Sequence, residues 1–581
     1  MPARPPYNGD QRKLVLGIDI GTTFSGISYC VLEPGREPDI VPVTRFPLQP
    51  TLGGDSKVPT IVYYDKRGQA KAFGAEAMDE SIRETAIKQA WEMVSWFKLH
   101  MRPNSVAITS PGRDFPPLPT NKLAVDIFSD FLRYVFRCAR TFIIEHIPGG
   151  ELMWTTFEDS IEFVVTHPNG WEGEQQADLR QAAVNARLVP DSSRGHRRLH
   201  FVTEGEASLN FCIVNGLATN PLNAGKGVII VDAGGGTIDI SAYRKTSSPG
   251  KRSTFEEIAQ TACLMDGSVF VTKNAREYLN VVLRNSKYHE AVDEIAECFD
   301  QTTKLKFREP SEMSYIRFGT LRDKDAAFNI FNGQMKLPGT VVAAFFQPSI
   351  DAIVQAIAIQ QSSAKVPISD VLLVGGFAAS DWLHSELKRR LAPMNLVVSR
   401  PDAHVNKAVS DGAVSFFIDR FVKSRIAKDF YGIMMYTSYD EYDVEHCRRS
   451  ETRFVNDAGR LSIGGQFRVI LARGTSVRET QEFRGAFSRL ATEVSHLTSI
   501  EVDLLRYQGK NSKPRWRDVE PEKYQTMCGI HAHTHQAAQS LRPQFGPRGM
   551  YYRFSFEVVF SFGTTELKAQ IAWKEDGVEK R

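Results

Sequence analysis

Residues 227–243 read GVIIVDAGGGTIDISAY: an apolar run, an aspartate, three glycines with a threonine, and a second run rich in apolar residues. An unbroken apolar run of this length suits a strand covered on both faces, and the glycine-rich break before the next run reads as the turn of a β-hairpin. Glycine at such a break serves chemistry as well as geometry, because backbone N–H groups approach a polyphosphate closely only where no side chain blocks them. Asp232, at the strand end, is placed to hold the water shell of a Mg2+ ion.

Residues 14–32, LVLGIDIGTTFSGISYCVL, repeat the pattern. Asp19 matches Asp232, Gly21 matches Gly234, Ile27 matches Ile240 and Ser28 matches Ser241. Two copies of one unit predict a duplicated α/β fold with facing lobes and Asp19 and Asp232 as the metal-side pair. The turn residues Gly21, Thr22, Thr23 and Phe24, with Gly234, Gly235, Gly236 and Thr237, are the predicted phosphate contacts. A third unit, VLLVGG at 371–376, precedes Ser380 as a helix N-cap and Leu383, Leu387 and Leu391 on one helical face. There Gly375 and Gly376 offer a further close approach, for a ribose or an α-phosphate. Each hairpin alone needs no ligand, since glycine and aspartate are ordinary turn formers. Three such units in this order are harder to explain by folding alone and favour a nucleotide. No GxxxxGK[ST] run and no GxGxxG after a strand is present, which disfavours P-loop and dinucleotide folds.

Between the units the chain keeps an α/β rhythm. A helix is expected over 120–147, a strand over 161–166, a helix over 174–188, a strand over 199–203 and a short helix over 207–217 capped by Gly216. Residues 266–331 are charged and helical in pattern, and read as an inserted subdomain. Beyond about residue 423 the texture changes: Ile500, Val502 and Leu504 alternate with acids, and Tyr552, Phe554, Phe556, Val558, Phe560 and Phe562 alternate with mainly polar residues. A turn at Gly563-Thr564 leads into Leu567, Ala569, Ile571 and Trp573, so this module is expected to be mainly antiparallel β.

At 581 residues the chain exceeds one hydrophobic core. The expected division is lobe I over 13–205, lobe II over 206–422 with an insertion at about 266–335, and a β-rich module over 423–581. A 42% apolar and 24% charged composition with net charge +3 gives no reason to expect nucleic acid as a partner. Seven scattered cysteines without a CxxC pair suit a reducing compartment, hence a cytoplasmic address with the nucleus as alternative. Neither the polar first 13 residues nor any later run is expected to cross a membrane.

Residues 16–24, 231–241 and 373–376 resemble the two phosphate motifs and the adenosine motif of the actin, hexokinase and heat-shock-chaperone ATPase superfamily. The order of elements over residues 13–420 is most similar to the 70-kilodalton heat-shock chaperones, and Gly-Gly-Phe-Ala at 375–378 resembles their divergent, lid-less type-twelve branch. The resemblance implies an actin-like two-lobe ATPase with ATP and Mg2+. It implies that Lys98 is the catalytic lysine, although most lysines are solvated surface residues, and that Glu204 and Asp232 help place water and metal. Gly205 stands where the family has proline. Asp300 and Lys304 would reach the ribose and adenine, a plain i,i+4 ion pair being the alternative. Ala379 replaces the arginine expected along the adenine, and Phe377 is the candidate to stack on the base instead. The implied function is a slow ATPase whose lobe closure gates contacts of the β module with protein clients, signalling partners or a co-chaperone. Two alternatives stay open: a nucleotide-binding or pseudo-ATPase scaffold, and a small-molecule kinase of the same superfamily. Cys528, His531, His533 and His535 invite a zinc reading, but no second ligand pair follows at the usual spacing.

Overall fold

The computed structural model describes residues 4–49, 56–103, 115–171, 173–216, 225–246, 254–401, 407–562, 566–575 and 577–581. The chain divides into two units, Met1–Val422 and Lys423–Arg581. In the first, the hairpin of β1 (Lys13–Ile20) and β2 (Phe24–Leu32) is antiparallel, with Asp19 opposite Gly26. β1 runs parallel to β3 (Glu162–His167), which runs parallel to β4 (Leu199–Thr203). α1 (Ala124–His146) and α2 (Glu174–Asn185) cover this sheet, burying Phe128, Phe131, Val135 and Leu179 against β-strand residues such as Leu16, Ile18 and Phe163. α3 (Glu204–Val214) then leaves the lobe.

The same path recurs. β5 (Gly227–Ala233) and β6 (Ile238–Lys245) form an antiparallel hairpin; β5 is parallel to β7 (Ile368–Val374), and β7 to β8 (Val397–Ser399). The strand orders β2-β1-β3-β4 and β6-β5-β7-β8 are identical in plan, which is the duplication seen in the sequence. β1 and β5 are apolar almost throughout because each is covered on both faces.

Between β6 and β7 lies the insertion, with α4 (Ser268–Val282) and α5 (Gly339–Ser363). It also holds a three-stranded sheet, Met313–Arg317, Gln334–Pro338 and Ile330–Phe331, which the helical reading of this segment missed. In Met313–Arg317 only Ile316 is buried, so the alternation that marks a strand is almost invisible. α5 corrects a second expectation, because its 25 residues are long and apolar enough to span a bilayer. Its Val342, Phe346, Ile350, Ile353 and Ile357 are spent in the core of the second lobe, which α4 and β6 share. α6 (Asp381–Leu391) is capped by Ser380, whose Oγ accepts from Leu383 N–H at 3.3 Å. Helix 207–217 begins three residues early, at Glu204, because Thr203 Oγ1 takes the Glu206 N–H as N-cap; Leu217 lies outside the described residues.

α7 (Ala408–Asp419) crosses α3 closely, backbone against backbone at Gly412. A Cβ at Gly412 would stand 1.9 Å from the Ala207 carbonyl oxygen. Both helices serve both lobes: Ala207, Val409 and Ala413 pack with Val15 and Val164, whereas Leu209, Phe211 and Ala408 pack with Val228 and Ile230.

The second unit is built of two antiparallel sheets. One contains β9 (Phe430–Ser438), β10 (Leu461–Leu471), β12 (Ser499–Tyr507) and β13 (Tyr524–His533); the other contains β11 (Glu482–Ala491), β14 (Gly549–Phe562) and β15 (Leu567–Glu575). Phe554, Phe556, Val558, Phe560, Ile571 and Trp573 meet Ile433, Ile500 and Leu504 in its core. A groove of about 1260 Å³ is lined by Ile433, Phe487 and Phe556 together with Glu501, Arg489 and Arg553. The turn at Gly563-Thr564 lies outside the described residues.

Candidate functional site

Asp19 is the penultimate residue of β1, so the hairpin carries its carboxylate to the mouth of the turn. Oδ1 accepts from Thr166 Oγ1 at 3.1 Å, at the end of β3, and Oδ2 is ion-paired with Lys57 Nζ at 2.5 Å. Burial pushes the carboxyl up, but the Lys57 and Lys98 ammonium groups outweigh it and hold it below the usual range. Asp232 occupies the equivalent place in β5. Its Oδ2 accepts from Ser208 Oγ of α3 at 2.6 Å, and burial followed by the nearby Glu204 pushes it up to about 7.

Lys98 lies in a short 3-10 turn, Phe97–Met101, anchored by the Phe97 ring against Phe128 and Phe131. It is 3% exposed and forms an ion pair with Glu204, the first residue of α3. Burial disfavours the ammonium, but Glu204 and Asp19 outweigh it, so Lys98 stays charged. Glu204 is pushed up by burial against the pull of Lys98. The N–H of Gly205 donates to Asn169 Oδ1 at 3.3 Å, a bond that a proline could not make.

The structure adds Asp239, which the sequence reading passed over. It pairs directly with Asp232 across the β5–β6 hairpin and is buried. Oδ1 accepts from Asn169 N–H at 2.6 Å, while Oδ2 has no hydrogen-bond partner among the described residues. Burial and Glu204 raise its carboxyl well above the ordinary range. The signal was present: a four-residue turn at 234–237 sets Ala233 opposite Ile238, and therefore Asp232 opposite Asp239.

The two glycine turns meet. A Cβ at Gly235 would lie 2.3 Å from Thr23 Oγ1, and one at Gly236 would lie 2.3 Å from Thr22 Oγ1. The carbonyls of Gly234, Gly235 and Gly236 accept from the N–H groups of Ser268, Val269 and Gly267 at the start of α4. Among the described residues, the N–H groups of Gly235 and Gly236 have no backbone acceptor, which leaves them for an anion. Phe24 is half exposed beside them, and Thr237 helps to line a void of about 10 Å³ with Lys98, Trp171 and Cys263. That volume is at the lower limit for one water.

Gly375 joins this centre from the adenosine-like motif. Its φ is +91°, and a Cβ there would stand 2.4 Å from Asp232 Oδ1, so both backbone and space demand glycine. Gly376 faces open space. Phe377 is a correction: its ring is buried and stacked on Phe346 at 6.1 Å, in the lobe core, and is not open to a base. A 3-10 turn, Phe377–Ala379, separates the glycines from α6, and Arg400 from beyond β8 bonds the Ala378 and Ala379 carbonyls at 3.2 and 3.1 Å. Asp300 and Lys304 form their i,i+4 ion pair on a segment containing a π-turn, Phe299–Thr303. Lys304 Nζ also donates to Ser268 O at 3.4 Å, which ties the pair to the helix start beneath the second glycine turn.

For a magnesium-bound polyphosphate the donor set fits: free amides, two ammonium groups and the Asp19–Asp232 pair. Among the described residues no three His, Cys, Asp or Glu side chains stand ready to hold a metal directly. The acids therefore suit a hydrated ion. In the second unit, His531 and His533 touch on one face of β13, and His531 is bonded to Ser499 Oγ at 2.6 Å.

Comparison with known proteins finds no matching family model. The chain is similar to Heat shock 70 kDa protein 12A of mouse and of human, each 22% identical over 516 residues covering 74% of this chain and 73% of the relative.

Proposed function

We infer that this chain, heat-shock-70-like and akin to the type-twelve branch, is a slow ATP hydrolase whose lobe closure gates protein contacts of its C-terminal unit. The observation that carries this reading is the convergence of Asp19, Lys98, Glu204, Asp232 and Asp239 on two facing glycine turns. Bound Mg2+ would neutralise polyphosphate charge, with Asp19 and Asp232 holding its water shell. The Gly235 and Gly236 amides and Lys98 would offset charge developing on the phosphoryl oxygens. Asp239, whose buried Oδ2 has no hydrogen-bond partner among the described residues, is the group to take the proton of the attacking water. Burial and the neighbouring Glu204 raise its carboxyl above the ordinary range, which disfavours the ionised form that a base requires and fits slow turnover. Closure about α3 and α7 would bias the second unit toward or away from protein clients, signalling proteins or a co-chaperone, in the cytoplasm or nucleus.

The test is ATP affinity and phosphate release measured together on purified protein. Binding with slow release that Glu204→Gln abolishes is the expected result; release unchanged in that variant defeats the enzymatic reading. The direct packing of Gly235 and Gly236 on Thr23 and Thr22 favours a second reading, a scaffold that binds nucleotide without turnover or has lost it, because a polyphosphate requires these turns to part. Binding without release, or no binding, would select it.

A further inference from the structure

The two hairpins of the duplication differ at the position opposite the metal-side acid. In the second hairpin the residue opposite the metal-side acid is another acid, Asp239; in the first it is Gly26. The stem of Lys57 crosses that glycine, since a Cβ at Gly26 would lie 3.4 Å from Lys57 Cδ and 3.5 Å from Cε. The path ends with Nζ on Asp19 Oδ2 at 2.5 Å. The backbone of Lys57 is held on both sides: Val58 pairs with Ser25 of β2, and the Lys57 carbonyl accepts from Gln49 Nε2 at 2.9 Å. The side chain is 15% exposed, so the ammonium sits at the cleft, covered but reachable.

From this geometry we propose that Lys57 is a polyphosphate-binding residue that stands in part for the divalent cation at Asp19, so that nucleotide binding survives removal of Mg2+. The proposal rests on the reading that the cleft takes ATP. An ammonium has three donors; one is spent on Asp19, and the others have no hydrogen-bond partner among the described residues, so they could reach phosphate oxygens when the turns part. Among the described residues no other cation forms an ion pair with Asp19, Lys98 being engaged with Glu204.

The experiment is calorimetric titration of the full chain with ATP, in Mg2+ and in EDTA, for wild type and Lys57→Met. Wild type should lose no more than about tenfold in affinity on removing Mg2+, whereas the variant should lose a further factor of about 10 to 150 in EDTA, the value of one charge-assisted hydrogen bond. Wild type binding only with Mg2+ overturns the proposal and leaves the ATP reading intact. A variant that binds in EDTA as wild type does also overturns it. No binding in either buffer overturns the ATP reading, and this proposal with it. The wild-type comparison stands even if Lys57→Met fails to fold.

Discussion

Replacing Lys98 by Met gives the sharpest test of the site's electrostatics. The substitution keeps most of the side-chain volume but removes the ammonium that stands over the Trp171 ring, and leaves Glu204 without its partner, among Asp19, Asp232 and Asp239. Breaking a buried pair by removing one member costs about 3–5 kcal/mol, because the remaining charge stays desolvated. For a lobe of this size that corresponds to a fall of roughly 6–20 °C in thermal midpoint at pH 8, at about 2–4 °C per kcal/mol. The sign with pH follows from Glu204. Its pKa is already raised in the fold, and losing Lys98 removes an interaction that lowers it, so the folded state comes to prefer the neutral acid still more strongly. A raised carboxyl contributes stability at low pH that is lost as pH rises through its folded value. The gap between variant and wild type should therefore shrink from pH 8 to pH 5. Lys98→Met/Glu204→Gln should recover part of the loss at pH 8. Differential scanning calorimetry across that range is the assay. A Lys98→Met midpoint equal to wild type, or a double variant no more stable than the single, would refute the buried pair.

Asp239→Asn should cut phosphate release by about 10²–10⁴, the usual value of a general base, while leaving ATP affinity within a few fold; equal losses in both would make the residue structural. In metal-free buffer Asp232, raised to about 7, should make unfolding free energy fall by a few kcal/mol between pH 4 and pH 7, and Asp232→Asn should flatten that slope in urea titrations. Gly412→Val should destabilise the first unit by about 3 kcal/mol or more, since the Ala207 carbonyl cannot yield to a side chain as a flexible neighbour could. A neutral effect on the urea midpoint would mean that the two helices do not touch as described.

What the sequence made legible follows from where energy is local. The hairpins were visible because buried strands need continuous apolar runs and their turns need glycine, so 14–32 and 227–243 announce themselves. The β alternation of 552–562 was legible for the same reason. Asp239 was overlooked although the hairpin register specified it, because its role depends on facing a residue seven positions earlier. Phe377 misled: its neighbours suggested a base platform, but Phe346, thirty-one positions away, claims the ring. Lys57 could not be placed at all, since nothing near it in the chain reveals that Gly26 clears a path to Asp19. The family resemblance recognised the two-lobed plan from its motifs; charge pairing between Lys98 and Glu204 needed coordinates.

The crossing of α3 and α7 has a mechanical consequence. At Gly412 and Ala207 main chain rests on main chain, while Ala207, Val409 and Ala413 keep their packing on one lobe and Leu209, Phe211 and Ala408 theirs on the other. Such a contact suits a pivot: any closure of the lobes about α3 and α7 would have to turn around this point, where no room is left for a side chain at Gly412.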